Sequence, residues 1–162
     1  MKKTYLTKLL GMALMLLAAT SFVQAQGTLT VDAPASVAGD YTVGRAGFGP
    51  RFGATVSAPV VTVTDTSGAT TGCFMLDSGV ADVAGAIALV DRGVCGFPAK
   101  ALSAQAAGAV GVIICNNDVA NPDAILNPGG DDGCQATIPT VFMSYNDCQA
   151  IRMEEGLMVT IV

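Results

Sequence analysis

The fold is decided by residues 85–115. They read Gly85-Ala86-Ile87-Ala88-Leu89-Val90-Asp91-Arg92-Gly93-Val94-Cys95-Gly96-Phe97, then Pro98-Ala99-Lys100-Ala101-Leu102-Ser103-Ala104-Gln105-Ala106-Ala107-Gly108, then Ala109-Val110-Gly111-Val112-Ile113-Ile114-Cys115. Ala86 to Val90 is an unbroken apolar run of strand length, and Asp91-Arg92-Gly93 ends it as a turn. Pro98 to Ala107 is dense in strong helix formers; Pro98 is tolerated in the first turn, and Gly108 suits the position just past the helix. Val110 to Cys115 is a second apolar run, the pattern of a strand covered on both faces. Strand, helix and strand with short joints predict a βαβ unit, so the two strands should be parallel with a right-handed crossover. A helix of alanines, with Leu102 its one large apolar residue, can lie close against a sheet.

Outward from this unit the chain reads as one module without a linker. Upstream, Thr28-Leu29-Thr30-Val31, Tyr41-Thr42-Val43 and Val60-Val61-Thr62-Val63-Thr64 alternate in strand style. Gly47-Phe48-Gly49-Pro50 is a turn rather than a dinucleotide-binding loop, because Pro50 and Arg51 follow and no helical pattern begins. Downstream, residues 116–134 form a polar loop rich in Gly, Pro, Asn and Asp, long enough to be functional or mobile. Ile138 to Met143 returns to a strand. A short helix capped by Ser144 or Asn146 runs through Ile151-Arg152-Met153, and Leu157 to Val162 is a last strand. The chain stops inside that strand, so a longer natural chain is expected. There is no internal repeat.

Composition limits the function. Of 162 residues 51% are hydrophobic and 13% charged, and the mean hydropathy of +0.54 would suit a membrane protein. Part of this comes from residues 1–25. Lys2, Lys3 and Lys8 precede an apolar run from Leu9 to Ala19, and Val23-Gln24-Ala25 offers small residues for a signal peptidase, so cleavage after Ala25 is expected. The run is shorter than the ~20 residues a spanning helix needs. Its style is bacterial. What remains, residues 26–162, carries five basic residues (Arg45, Arg51, Arg92, Lys100, Arg152) against thirteen acids, a net charge of −8. Such a chain repels phosphate, so neither nucleic acid nor, after cleavage, a membrane is an expected partner. There is no histidine, which excludes Ser-His-Asp and Cys-His catalysis, His-ligated zinc and a histidine pH switch.

All five cysteines lie beyond residue 25: Cys73, Cys95, Cys115, Cys134 and Cys148. An exported chain meets an oxidising compartment, so disulfides are expected, and no C-x-x-C spacing supports a metal site. One thiol must stay out of any two-bridge pattern. Cys115 ends an apolar strand, where a free thiol behaves as a small hydrophobe. The other four sit beside turn signals, and the expected bridges are Cys73–Cys95 and Cys134–Cys148.

Taken together, the motifs resemble the protease-associated (PA) domain family. Residues 85–114 are similar to its core, a strand ending in Arg-Gly, then Cys and Phe, a helix ending in Ala-Gly-Ala, and a hydrophobic strand running into Asn116-Asn117. Ile138-Pro139-Thr140-Val141 followed by Ser144 and Asp147 resembles the family's second landmark, and Tyr41-Thr42-Val43-Gly44 with Phe48-Gly49-Pro50 its lead-in. The resemblance spans residues 28–162. It implies an α/β fold, a β-sandwich or partly closed barrel with a βαβ unit and a few flanking helices. It also implies a non-catalytic module of the kind found in secreted subtilases, aminopeptidases and sorting receptors, where it binds peptides or proteins or covers an active site.

The residues support a matching site. Arg92 follows a parallel strand at its carboxyl end, where open α/β sheets place ligands, and a guanidinium there can fork onto a carboxylate. Asn116, Asn117 and Asp118 end the next strand and line the same rim, so these four are the candidate peptide-binding residues. The structural alternative pairs Arg92 with Asp91 or Asp77. Phe97 reads as a core anchor, Lys100 as a helix-surface residue, and Glu154-Glu155 as a solvated face. Asp131-Asp132 belongs to a solvated loop that lacks the spaced ligands of a calcium site. No catalytic residue, metal or cofactor is assigned. The expectation is a secreted or cell-surface binding module, accessory to a peptidase or a surface protein. The alternatives are a fragment of a secreted peptidase whose catalytic domain is absent, or a structural spacer.

Overall fold

The computed structural model describes residues 27–50, 55–74, 83–130 and 135–162. The leader expected over 1–25 lies outside them, as do Asp77, Asp131-Asp132 and Cys134. The elements in chain order are β1 (Gly27–Ala33), β2 (Gly39–Arg45), β3 (Val56–Thr62), β4 (Ile87–Asp91), α1 (Phe97–Ala106), β5 (Gly111–Cys115), β6 (Thr140–Met143), α2 (Tyr145–Arg152) and β7 (Met158–Ile161). The strands close into a barrel in the order β1-β2-β6-β5-β4-β3-β7. Strands β3, β4, β5 and β6 are mutually parallel, and β1, β2 and β7 complete the circle with antiparallel pairs. Among the described residues every strand therefore has a partner on both sides.

β4 and β5 pair in parallel from Ile87 opposite Gly111 to Asp91 opposite Cys115, so the βαβ unit forms over the expected residues. Its unbroken apolar runs follow from two cores. Ile87, Leu89, Ile113 and Cys115 join residues of every other strand in the barrel interior, among them Leu29, Val43, Val141 and Val159. The alternate residues Ala88, Val90, Val112 and Ile114 turn outward, and with Phe142 they pack against Ala104 of α1. A strand buried on both faces has no position left for a polar residue. Ala101 and Ala104 have no solvent exposure, so the small side chains do set the close approach of helix to sheet. Gly108 follows the helix at φ +91, a left-handed conformation that glycine adopts freely.

α2 covers one end of the barrel. Ser144 caps it: its hydroxyl accepts from the Asp147 N–H at 3.1 Å and donates to the Asp147 carboxylate at 2.7 Å. Asn146 is thereby inside the helix, and its side chain reaches out to Asp123. Cys148 and Ile151 face inward and belong to the barrel core.

The disulfide expectation needs one correction. Cys73 is bonded to Cys95, but Cys148 is bonded to Cys115 rather than to Cys134. Strand alternation aims Cys115 into the barrel, where the inward face of α2 brings Cys148 to a Cα–Cα distance of 5.7 Å. Asn146-Asp147 looked like a turn beside Cys148, but it is the first turn of a helix, so Cys148 is a core residue and not a loop residue.

Candidate binding site at the carboxyl ends of the parallel strands

Parallel pairing puts the residues that follow β4, β5 and β6 in a row at one rim of the barrel. The Arg92 N–H donates to the Cys115 carbonyl at 2.8 Å, and the Asn116 N–H donates to the Met143 carbonyl at 3.0 Å. Arg92, Asn116 and Ser144 are thus neighbours because their strands share a register, although 24 residues separate the first two.

Within this row Arg92 Nη1 donates to Asn116 Oδ1 at 3.0 Å. Asn116 is 2% exposed and engaged at both ends of its amide: its Nδ2 donates to the Ala124 carbonyl, and its Oδ1 also accepts the Asp118 N–H. Asn117 Nδ2 donates to the Arg92 carbonyl at 3.1 Å, tying the two strand ends together a second time. Asp118 accepts from the Ala120 and Asn121 backbone and from Asn121 Nδ2. Its carboxyl is held below its ordinary range, first by the Asn121 side chain, then against burial by those two amides, and with a contribution from the Arg92 charge. The structure therefore brings Arg92, Asn116, Asn117 and Asp118 together, with Arg92 the half-buried cation of the group.

The structural alternative for Arg92 fails in part. Asp91 is paired with Arg152 of α2, and its carboxylate also accepts from Thr70. Arg152–Asp91 is the only ion pair among the described residues; Asp77 lies outside them. Arg92 is thus held by a neutral amide, with no carboxylate within 4.0 Å among the described residues.

The loop that follows is docked rather than loose. Gly47 N–H donates to the Pro128 carbonyl at 2.8 Å, and Arg45 N–H to Asn127 Oδ1 at 3.1 Å. The Leu126 carbonyl oxygen comes so near Gly44 that a Cβ there would lie 1.7 Å from it. Asn146 fixes the other side through Asp123 and the Pro122 carbonyl.

Beside the rim is a buried polar cluster that the sequence reading missed. Lys100 has no solvent exposure. Its Nζ donates to the Thr71 carbonyl at 2.5 Å, the Gly93 carbonyl at 2.8 Å and Cys73 Sγ at 3.3 Å. Burial lowers its pKa from the ordinary lysine value, while the charges of Asp91 and Asp65 pull the other way. Asp65, 1% exposed, accepts from the Ser67 and Thr71 hydroxyls and the Ser67 and Cys73 amides. Burial alone would raise its pKa, but these hydrogen bonds prevail and hold it at about 2. The signal for Lys100 was its place in a helical stripe: partly buried Phe97 with buried Lys100, Ala101 and Ala104 follow the i, i+3, i+4, i+7 spacing of an inward face. Lysine is so seldom fully buried that residue type outweighed position. Phe97 itself stacks edge-on against Phe142, ring centroids 5.9 Å apart, as a core anchor does. Among the described residues no group of three metal-ligating side chains could hold an ion.

A seven-stranded mixed barrel with a helix packed on its parallel side and a cation at the strand ends is the class of domain these residues build. The PA domain model matches residues 56–151, more than half of the chain, and the chain belongs to that family. It is 31% identical to vacuolar-sorting receptor 1 of Pisum sativum over 94% of its own length and 26% of the receptor's. It is 36% identical to an aminopeptidase of Pseudomonas aeruginosa over 49% of its own length and 15% of that enzyme's. The structure of BSAP, a zinc aminopeptidase from Bacillus subtilis, superposes with a TM-score of 0.61 at 28% identity, covering 83% of this chain and 29% of that one. The chain thus spans less than a third of each of these proteins, and its family occurs in peptidases and in a sorting receptor.

Proposed function

We propose that this chain is a secreted, non-catalytic module that binds peptides or proteins at the rim formed by Arg92, Asn116, Asn117 and Asp118, as the accessory part of a peptidase or a surface protein. The observation that carries the reading is Arg92. Its guanidinium is oriented by Asn116 and has no carboxylate within ion-pair distance among the described residues, so it keeps donors for a peptide carboxylate or carbonyl. The absence of histidine and the engagement of Lys100 by two carbonyls support a binding role over a hydrolytic one. A leader-like start and two disulfides support export.

Titration of a peptide panel against the wild type and Arg92→Ala tests the site: weaker binding by the variant is expected, and equal binding by both would remove Arg92 from it. The similarity to aminopeptidases favours a second reading, in which the module belongs to a longer peptidase. Casein and chromogenic-peptide assays on this chain test what the two share, since turnover by the chain itself would overturn the non-catalytic reading.

A further inference from the structure

The two disulfides sit in opposite environments. Cys115 and Cys148 have no solvent exposure and lie in the barrel core. Cys73 and Cys95 are both partly exposed. Cys95 stands between exposed Gly96 and Val94, and Val94 is 80% exposed and held at φ +69, a conformation that β-branched residues rarely adopt. The two sulfurs of this outer bridge also differ. Lys100 Nζ lies 3.3 Å from Cys73 Sγ, whereas Cys95 Sγ takes no hydrogen bond from a cation among the described residues.

We propose that the Cys73–Cys95 bridge is a thiol-exchange site with a fixed polarity, at which a small aliphatic thiol becomes attached to Cys95 while Cys73 leaves as a thiolate held by Lys100. In the step, an external thiolate attacks Cys95 Sγ and a new S–S bond forms between them. The Cys73–Cys95 bond breaks, and its electron pair goes to Cys73 Sγ. No proton moves, and one disulfide replaces another, so no oxidant or reductant is consumed.

Two arguments set the direction. The sulfur that leaves faster is the one whose thiolate is better stabilised, and an ammonium in contact lowers a thiol's pKa. Lys100 is itself a buried charge with no carboxylate within 4.0 Å among the described residues, so a thiolate at Cys73 supplies the counter-ion that the closed form lacks. Asp65 is the opposing charge, since it accepts the Cys73 N–H at 3.3 Å. Its carboxylate is spread over four donors, however, while Lys100 touches the sulfur directly. Lys100 also grips Thr71 and Gly93 on the two segments that the bridge joins, so the opened form stays assembled.

The test uses the whole chain in a Cys134→Ser background, so that the fifth cysteine takes no part. The protein is incubated at neutral pH with graded 2-mercaptoethanol, quenched with iodoacetamide and mapped by peptide mass. The expected result is the mercaptoethanol adduct on Cys95 with the alkyl group on Cys73, at a thiol concentration at least about tenfold below that which opens Cys115–Cys148. An adduct mainly on Cys73, an even split, earlier opening of Cys115–Cys148, or no exchange at all would each overturn the proposal. Lys100→Met, where it folds, should lose the preference for Cys95, while Lys100→Arg should keep it; a preference that survives Lys100→Met would also overturn it.

Discussion

Cys148, on the inward face of α2, is bonded to Cys115, the last residue of β5, so the helix that closes one end of the barrel is covalently fixed to the strand whose end carries Asn116. The bridge spans 33 residues of chain. Loop-closure entropy puts its contribution at about 4 kcal/mol. Replacing both cysteines by alanine should lower the urea midpoint accordingly, and an unchanged midpoint would show that packing of Ile151 and Ser144 alone seats the helix.

Lys100 gives a chemical readout of its burial. In protein lacking residues 1–25 it is the only lysine. An amine-acylating reagent should leave it unmodified in the native state and label it once the chain is unfolded. Labelling of the native protein as fast as a free lysine would contradict its placement under the Thr71 and Gly93 carbonyls.

Asp65 makes stability sensitive to acid. Its carboxyl titrates at about 2 in the folded chain against an ordinary value of 3.8. The folded state therefore binds this proton less readily than the unfolded one, and the stabilisation is complete above about pH 4 and is lost as pH falls through about 2. Urea midpoints measured from pH 5 to pH 2 should fall through that window. In Asp65→Asn the fall should be shallower and the neutral-pH midpoint lower, because an amide cannot accept all four hydrogen bonds.

The docked loop can be tested by adding one methyl group. Gly44→Ala places a Cβ 1.7 Å from the Leu126 carbonyl oxygen, so the loop must move off β2, at a cost of about 2 kcal/mol. Gly129→Ala, whose added Cβ meets nothing within 4 Å, serves as the control and should unfold with the wild type.

How much of this was legible in the sequence varies from residue to residue. The βαβ unit was readable because strands buried on both faces leave an apolar run that polar residues do not interrupt, and because Gly108 marks the helix end. The placing of Arg92 and Asn116 on one rim followed from parallel pairing, which carries residues after successive strands to the same end. Cys115 and Lys100 were not readable, for opposite reasons. A cysteine in an apolar strand looks like a small hydrophobe until α2 brings a second cysteine to it. A lysine on a buried helical stripe looks exposed until Thr71, Gly93 and Cys73 supply acceptors from segments far away in sequence. The docking of residues 122–130 depends on isolated contacts to Gly44, Arg45, Gly47, Asn116 and Asn146, which leave no periodic trace.

The proposed function rests on the barrel rim around Arg92 being where this module meets a peptide. Amide chemical-shift mapping of the isotopically labelled chain, titrated with peptides selected for binding, tests it most directly. Shifts are expected to concentrate at residues 92–95 and 116–118, to be abolished in Arg92→Ala and to be weakened by salt. Saturable shifts confined to another face, such as β1 and β2, and unaffected by Arg92→Ala would contradict it.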